Sequence, residues 1–153
     1  MDCFACWNTA QGDALPPRER VYLDESWRVA HSYSVALPGW LVVLPIRHVE
    51  SIGELTPEEA AALGELLRRL SLALVEVTGA VKTYLMSFGE AEGHRHLHFH
   101  VVPRLADLPH DRRGPRVFAY LLPGEASAVL PAEMDRIALQ VTAALTAAAR
   151  ALD

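Results

Sequence analysis

The sequence predicts an α+β fold, with an antiparallel sheet of about five strands, one long helix and a C-terminal helix packed beside it. Three observations carry this. Short segments rich in aromatic and β-branched residues lie on both sides of residues 56–79, those residues repeat leucine at helical spacing, and an Ala/Leu-rich stretch closes the chain.

The elements follow in order. "RVYLDESWRVAHSYS" (20–34) reads as two strands joined by a turn at "DES", because Asp and Ser favour turns between β-rich runs. In "LPGWLVVLPI" (37–46), Pro38-Gly39 turns the chain and residues 40–44 form a buried strand that Pro45 ends. Thr56 and Glu59 make a capping box, with Pro57 at the first helical position. Leu63, Leu66, Leu67, Leu70 and Leu74 then form one helix face, and Gly79 is the stop. "AVKTYLMSFG" (80–89) is another strand, and "GEAEG" turns the chain into the last one. Residues 105–123 read mainly as loop, and residues 131–151 as the C-terminal helix.

The 153 residues suit a single domain, 1–153. A formal charge of −5 argues against a general nucleic-acid partner, and no apolar run is long enough for a membrane span. The start, "MDCFACWNTA", lacks a secretory pattern, so a cytoplasmic protein is expected. Cys3 and Cys6 are the only cysteines; two inert thiols or half of a metal site both suit their spacing, whereas a redox pair would want a preceding strand.

In "GHRHLHFHVVPR" (93–104), His94, His96, His98 and His100 stand two apart. On a strand this spacing sets imidazoles about 6.6 Å apart on one face, with Leu97, Phe99 and Val101 on the other. Such a row could hold a metal, supply a histidine nucleophile with an orienting neighbour, or form a pH-sensitive polar patch. The absence of Asp and Glu from this stretch weighs against a purely metal-binding row.

His96-Leu97-His98-Phe99-His100-Val101-Val102 resembles the signature of the histidine-triad family, in which three histidines alternate with apolar residues. "LPGWLVVLPIRHVESIGELTPEEAA" and "CFAC" with "VYLDESWRVA" extend the resemblance over roughly residues 3–104. It implies a nucleotide hydrolase or nucleotidyltransferase acting on phosphoanhydride or phosphoramidate bonds, with diadenosine polyphosphates among the expected substrates. His98 would attack the α-phosphorus and carry a nucleotidyl-histidine intermediate. His100 would hold His98 in its tautomer, and Ser87, Phe88 and Gly89 would cradle phosphate oxygens. A nucleotide-binding regulatory protein with vestigial activity is the alternative. The family's dimers imply a homodimer.

The resemblance also implies a structural zinc held by Cys3, Cys6, His48 and His96, and no organic cofactor. His94 is the rival fourth ligand. Because "GEAEGHRH" is shorter than the family's usual segment, His94 is also expected at the leaving group. His31 and Ser32 lie near the usual ribose-binding acid, which is missing here. Phe4 is a candidate to pack on the base, with plain core packing as its equal alternative, and Trp40 belongs to the core or the pocket wall.

Overall fold

A computed structural model describes residues 3–121, 124 and 127–150, with the side chain of Arg150 left aside. The expectations for residues 122, 123 and 151 lie outside that range. Five strands, β1 (Tyr22–Leu23), β2 (Trp27–His31), β3 (Leu41–Pro45), β4 (Lys82–Met86) and β5 (Phe99–Arg104), form one antiparallel sheet in the order β1-β2-β3-β5-β4. The helices are α1 (Phe4–Thr9), α2 (Pro57–Thr78) and α3 (Pro131–Arg150).

The turn between β1 and β2 forms because Asp24 Oδ1 accepts from the N–H groups of Ser26 and Trp27, at 2.8 and 2.7 Å. β3 runs one residue beyond its expected end: Pro45 lies opposite Trp27. In α2 the capping box is closed, with the Thr56 hydroxyl accepting from Glu59 N–H and the Glu59 carboxylate accepting from Thr56 N–H. Gly79 ends α2 at φ 70°, in the left-handed region that a side chain disfavours.

Strand alternation gives the sheet two faces. Trp27, Val29, Leu41, Val43 and Val101 pack against Leu63, Leu66, Leu70 and Leu74 of α2 and Ile137, Val141 and Leu145 of α3. Burying each such leucine contributes about 2 kcal/mol relative to leaving it in water. The opposite face carries Arg28, Ala30, Val42, Leu44 and His100, and the chain after β5 covers part of it. Residues 105–121 are not shapeless there: His110–Arg112 and Gly114–Tyr120 are 3₁₀ turns, and Val117 is fully buried with Trp40 and Val102. Gly39, at φ 84°, packs tightly: a Cβ there would stand 3.0 Å from Thr78 Cγ2 and 3.3 Å from Pro103 Cγ.

The four-histidine strand is where expectation and structure part. β5 begins at Phe99, so only His100 lies within it. Before it, Leu97 N–H donates to the Val49 carbonyl at 2.7 Å, and His94 N–H closes a turn on Ala91 O. Those bonds take the backbone off the ladder, so the four imidazoles do not stand in one evenly spaced row.

Candidate active site and metal centre

A cavity of about 630 Å³ opens on the second sheet face. Its walls include His94, His96, His98 and His100, with Phe4, His31, Ser32, Phe88, Gly89 and Phe118. Cross-strand pairing aligns Ala30, Val42 and His100 in one row.

His98 Nδ1 lies 2.7 Å from the His96 carbonyl oxygen. A carbonyl only accepts, so Nδ1 carries the proton and neutral His98 keeps its lone pair on Nε2. The tautomer is therefore set by the backbone of His96 and not by His100, to which the family resemblance assigns that role. The His98 and His100 rings meet edge to face, with centroids 5.0 Å apart. Ser87 also differs from expectation. It does not line the cavity, and its hydroxyl donates to the His98 carbonyl at 2.7 Å, bracing the backbone of that residue. Phe88 and Gly89 do line the cavity.

His100 is buried beneath Trp40 and Phe118, with Trp40 Nε1–H donating to its Nδ1 at 3.0 Å. Burial, then the neighbouring His98, holds its pKa down to about 4, so the ring is neutral at pH 7 with its proton on Nε2. Trp40→Phe removes that donor and should let His100 populate both tautomers, read from its ring ¹⁵N shifts. A stability loss of about 1–3 kcal/mol should accompany it. A variant that keeps the Nε2–H form throughout would show that Trp40 does not set it.

His31 is fully buried, and both its nitrogens are engaged: Nδ1–H donates to Ser32 O at 2.8 Å, and Nε2 accepts from Gly39 N–H at 3.0 Å. Burial lowers its pKa. It stiffens the turn into β3 and offers a ligand no free nitrogen, which corrects the expectation of a ribose contact through this ring. Phe4 is half exposed, with Trp7 and Tyr33 rings about it at 6.1 and 6.0 Å. His94 is exposed; its Nδ1–H donates to Glu92 O at 3.1 Å, and its Nε2 accepts from the Tyr33 hydroxyl at 2.9 Å. Tyr33 and Phe118 had no sequence signal, since each meets its partner only through the fold. Trp40 had one, as a core or wall residue.

A second cluster sits beside the cavity. One donor atom each from Cys3, Cys6, His48 and His96 lie within 4.8 Å of one another. Cys3 Sγ and Cys6 Sγ are both 3.5 Å from His96 Nδ1, and Cys6 Sγ is 3.3 Å from His48 Nδ1. A tetrahedron with zinc–sulfur and zinc–nitrogen bonds of ordinary length has S–N edges of about 3.6 Å. The four residues therefore fit zinc. Burial, then the neighbouring Cys3, pushes the Cys6 thiol up to about 11. His96 is oriented from behind, its Nε2–H donating to Pro45 O at 2.9 Å. Among the described residues, His94 is not part of this cluster, so His96 is the member the fold supplies.

Solved structures share this architecture. A Zn-bound histidine triad family protein from Mycobacterium smegmatis is 23% identical, over 97% of this chain and 96% of that one, with a TM-score of 0.68. A hypothetical histidine triad nucleotide-binding protein from Sulfolobus tokodaii is 18% identical, over 95% and 93%, with a TM-score of 0.70. A histidine triad protein from Sinorhizobium meliloti is 25% identical, over 82% and 87%, with a TM-score of 0.67. The class is thus an α+β sheet protein of the histidine-triad type. The model of the HIT domain matches residues 16–107. This chain belongs to the HIT family, whose members generally act on nucleotides. Among the described residues, no helix is long and apolar enough to cross a membrane.

Proposed function

We propose that this protein is a nucleotide hydrolase or nucleotidyltransferase working through a nucleotidyl-histidine intermediate on His98. The supporting observation is the bond from His98 Nδ1–H to the His96 carbonyl, which leaves the Nε2 lone pair as nucleophile. Nε2 attacks the α-phosphorus of a dinucleoside polyphosphate or nucleoside phosphoramidate. A P–N bond forms as the bond to the leaving oxygen or nitrogen breaks with its electron pair, and that atom takes up a proton. Water then attacks phosphorus and loses a proton, the P–N pair returns to Nε2, and the nucleoside monophosphate departs. His100 Nε2–H and backbone N–H groups at Phe88 and Gly89 supply donors for the charge that builds on the phosphate oxygens.

In this reading the exposed His94 ring gives up the Tyr33 hydroxyl bonded to its Nε2 and presents that nitrogen to the leaving group. His94→Ala should slow substrates with poor leaving groups at least tenfold more than activated ones, within the range of general acid–base effects. Equal losses on both, measured as kcat/KM, would remove the acid role. Cys3, Cys6, His48 and His96 hold a structural zinc that ties the N-terminal segment to the sheet beside the triad. The exposed Leu72 and Val75 of α2 and Leu85 of the edge strand β4 support a homodimer across that face.

The central test is incubation with a labelled nucleotide donor followed by peptide mapping. An acid-labile nucleotidyl group on His98 supports the mechanism. Tight nucleotide binding with no adduct favours the regulatory alternative, which the altered ribose region at His31 allows.

A further inference from the structure

The β2 end of the cavity is polar, and nothing in the chemistry above uses it. Asn8, Glu19 and Arg28 all line the cavity there, and Asn8 and Arg28 are only 6% and 3% exposed. Ala30, next on the same strand face, contributes only a methyl group, so space remains above Arg28. Arg28 lies opposite Leu44, and His98 immediately precedes Phe99, the partner of Val43. Arg28 is therefore about 10 Å from the triad, two strand spacings across the sheet.

The three side chains are partly engaged with one another. Arg28 Nη1 donates to Glu19 Oε2 at 3.1 Å and to Glu19 O at 3.0 Å, and its Nε donates to Thr9 Oγ1 at 3.1 Å. Asn8 Nδ2 donates to Glu19 Oε2 at 2.8 Å. Because the Asn8 nitrogen must face the carboxylate, its Oδ1 points elsewhere. Arg28 Nη2, Glu19 Oε1 and Asn8 Oδ1 have no hydrogen-bond partner among the described residues. None is a sealed, unpaired atom, because no fully buried side-chain nitrogen or oxygen there lacks a partner. They keep open surface in residues that line the cavity.

The charges of Arg28 and Glu19 cancel, so this end is not built for a second phosphate. What remains at this end is one unpartnered nitrogen donor and two unpartnered oxygens that can only accept. We infer that Asn8, Glu19 and Arg28 form a base-reading subsite that selects a guanine-type edge, with two N–H donors beside one carbonyl. Guanine meets the count through N1–H, N2–H and O6. Uracil reverses it, with one N–H between two carbonyls, and adenine and cytosine each present one amino group beside ring or carbonyl acceptors. The inference rests on the nucleotide reading proposed above, and it makes base selection a matter of paired hydrogen bonds beyond apolar packing on Phe4.

The test uses the full chain with the 5′-phosphoramidates of guanosine, inosine and adenosine, and calorimetric binding of the three corresponding monophosphates. Inosine lacks only the N2 amino group. Guanosine should exceed inosine by at least about tenfold in kcat/KM, and adenosine by more, because a polar site rejects analogues that leave its groups unpaired. Glu19→Gln should lower guanosine kcat/KM at least about tenfold and narrow its lead over adenosine, because an oxygen that can only accept is exchanged for an amide. If that variant fails to fold, the wild-type comparison of guanosine with inosine decides alone. Equal turnover and binding for all three bases overturns the subsite and leaves the His98 chemistry standing. Guanine-selective binding without turnover or adduct keeps the subsite and overturns that chemistry.

Discussion

Replacing His98 with alanine should lower kcat/KM for nucleotide substrates at least about 10³-fold while nucleoside monophosphate binding stays nearly unchanged. Alanine deletes Nε2, the atom that would form the bond to phosphorus, and leaves Phe4, Ala30 and Val42 along the cavity wall intact. The fold should tolerate the change. His98 precedes β5, and its carbonyl still accepts from Ser87. Losing the Nδ1–H bond to His96 costs about 1 kcal/mol. Steady-state kinetics beside monophosphate titration separates the outcomes: normal turnover would remove His98 as nucleophile, and lost binding would make it a binding residue.

Stripping zinc, or replacing Cys6 with serine, should lower Tm by about 8–16 °C. At free zinc a thousandfold above its dissociation constant, binding stabilises the folded chain by about 4 kcal/mol. A domain of this size moves about 2–4 °C per kcal/mol. The metal needs deprotonated thiols, so zinc uptake should release protons and strengthen with pH. Scanning calorimetry with and without a chelator reads the shift. Activity that vanishes on chelation below the unfolding temperature, and returns with metal, would give the ion a chemical role in place of a structural one.

Legibility in the sequence followed how local the cause was. α2 was plain because its capping box, first-turn proline, leucine face and terminal glycine all lie within residues 56–79, and each acts on its neighbours in sequence. The histidine cluster and the strand it leads into were visible, but the point where that strand begins was not. The bond from Leu97 to Val49 that lifts the chain off the ladder joins residues 48 apart, and spacing alone cannot announce it. The metal set was reachable only through the family resemblance, since Cys6 meets His48 across 42 residues and His96 across 90. Trp40 over His100 and Tyr33 on His94 join residues 60 and 61 apart. His31 shows the opposite trap. A histidine at the edge of a pocket invites a ligand role, yet its own loop satisfies both nitrogens.

The span of the metal cluster also bears on the order in which the molecule assembles. Cys3 and Cys6 lie on and just before α1, a helix of six residues, too short to persist by itself. Their partners follow β3 and precede β5, and β3 pairs with β5 only after the intervening chain, α2 and β4 included, has been looped out. Closing so long a loop is a search that the metal cannot shorten, because neither histidine is near the other until the strands meet. A metal bound there should therefore be taken up late on the folding route, once the sheet is formed. Its effect on kinetics should fall on the unfolding rate, with the rate of folding left nearly as it is without the ion.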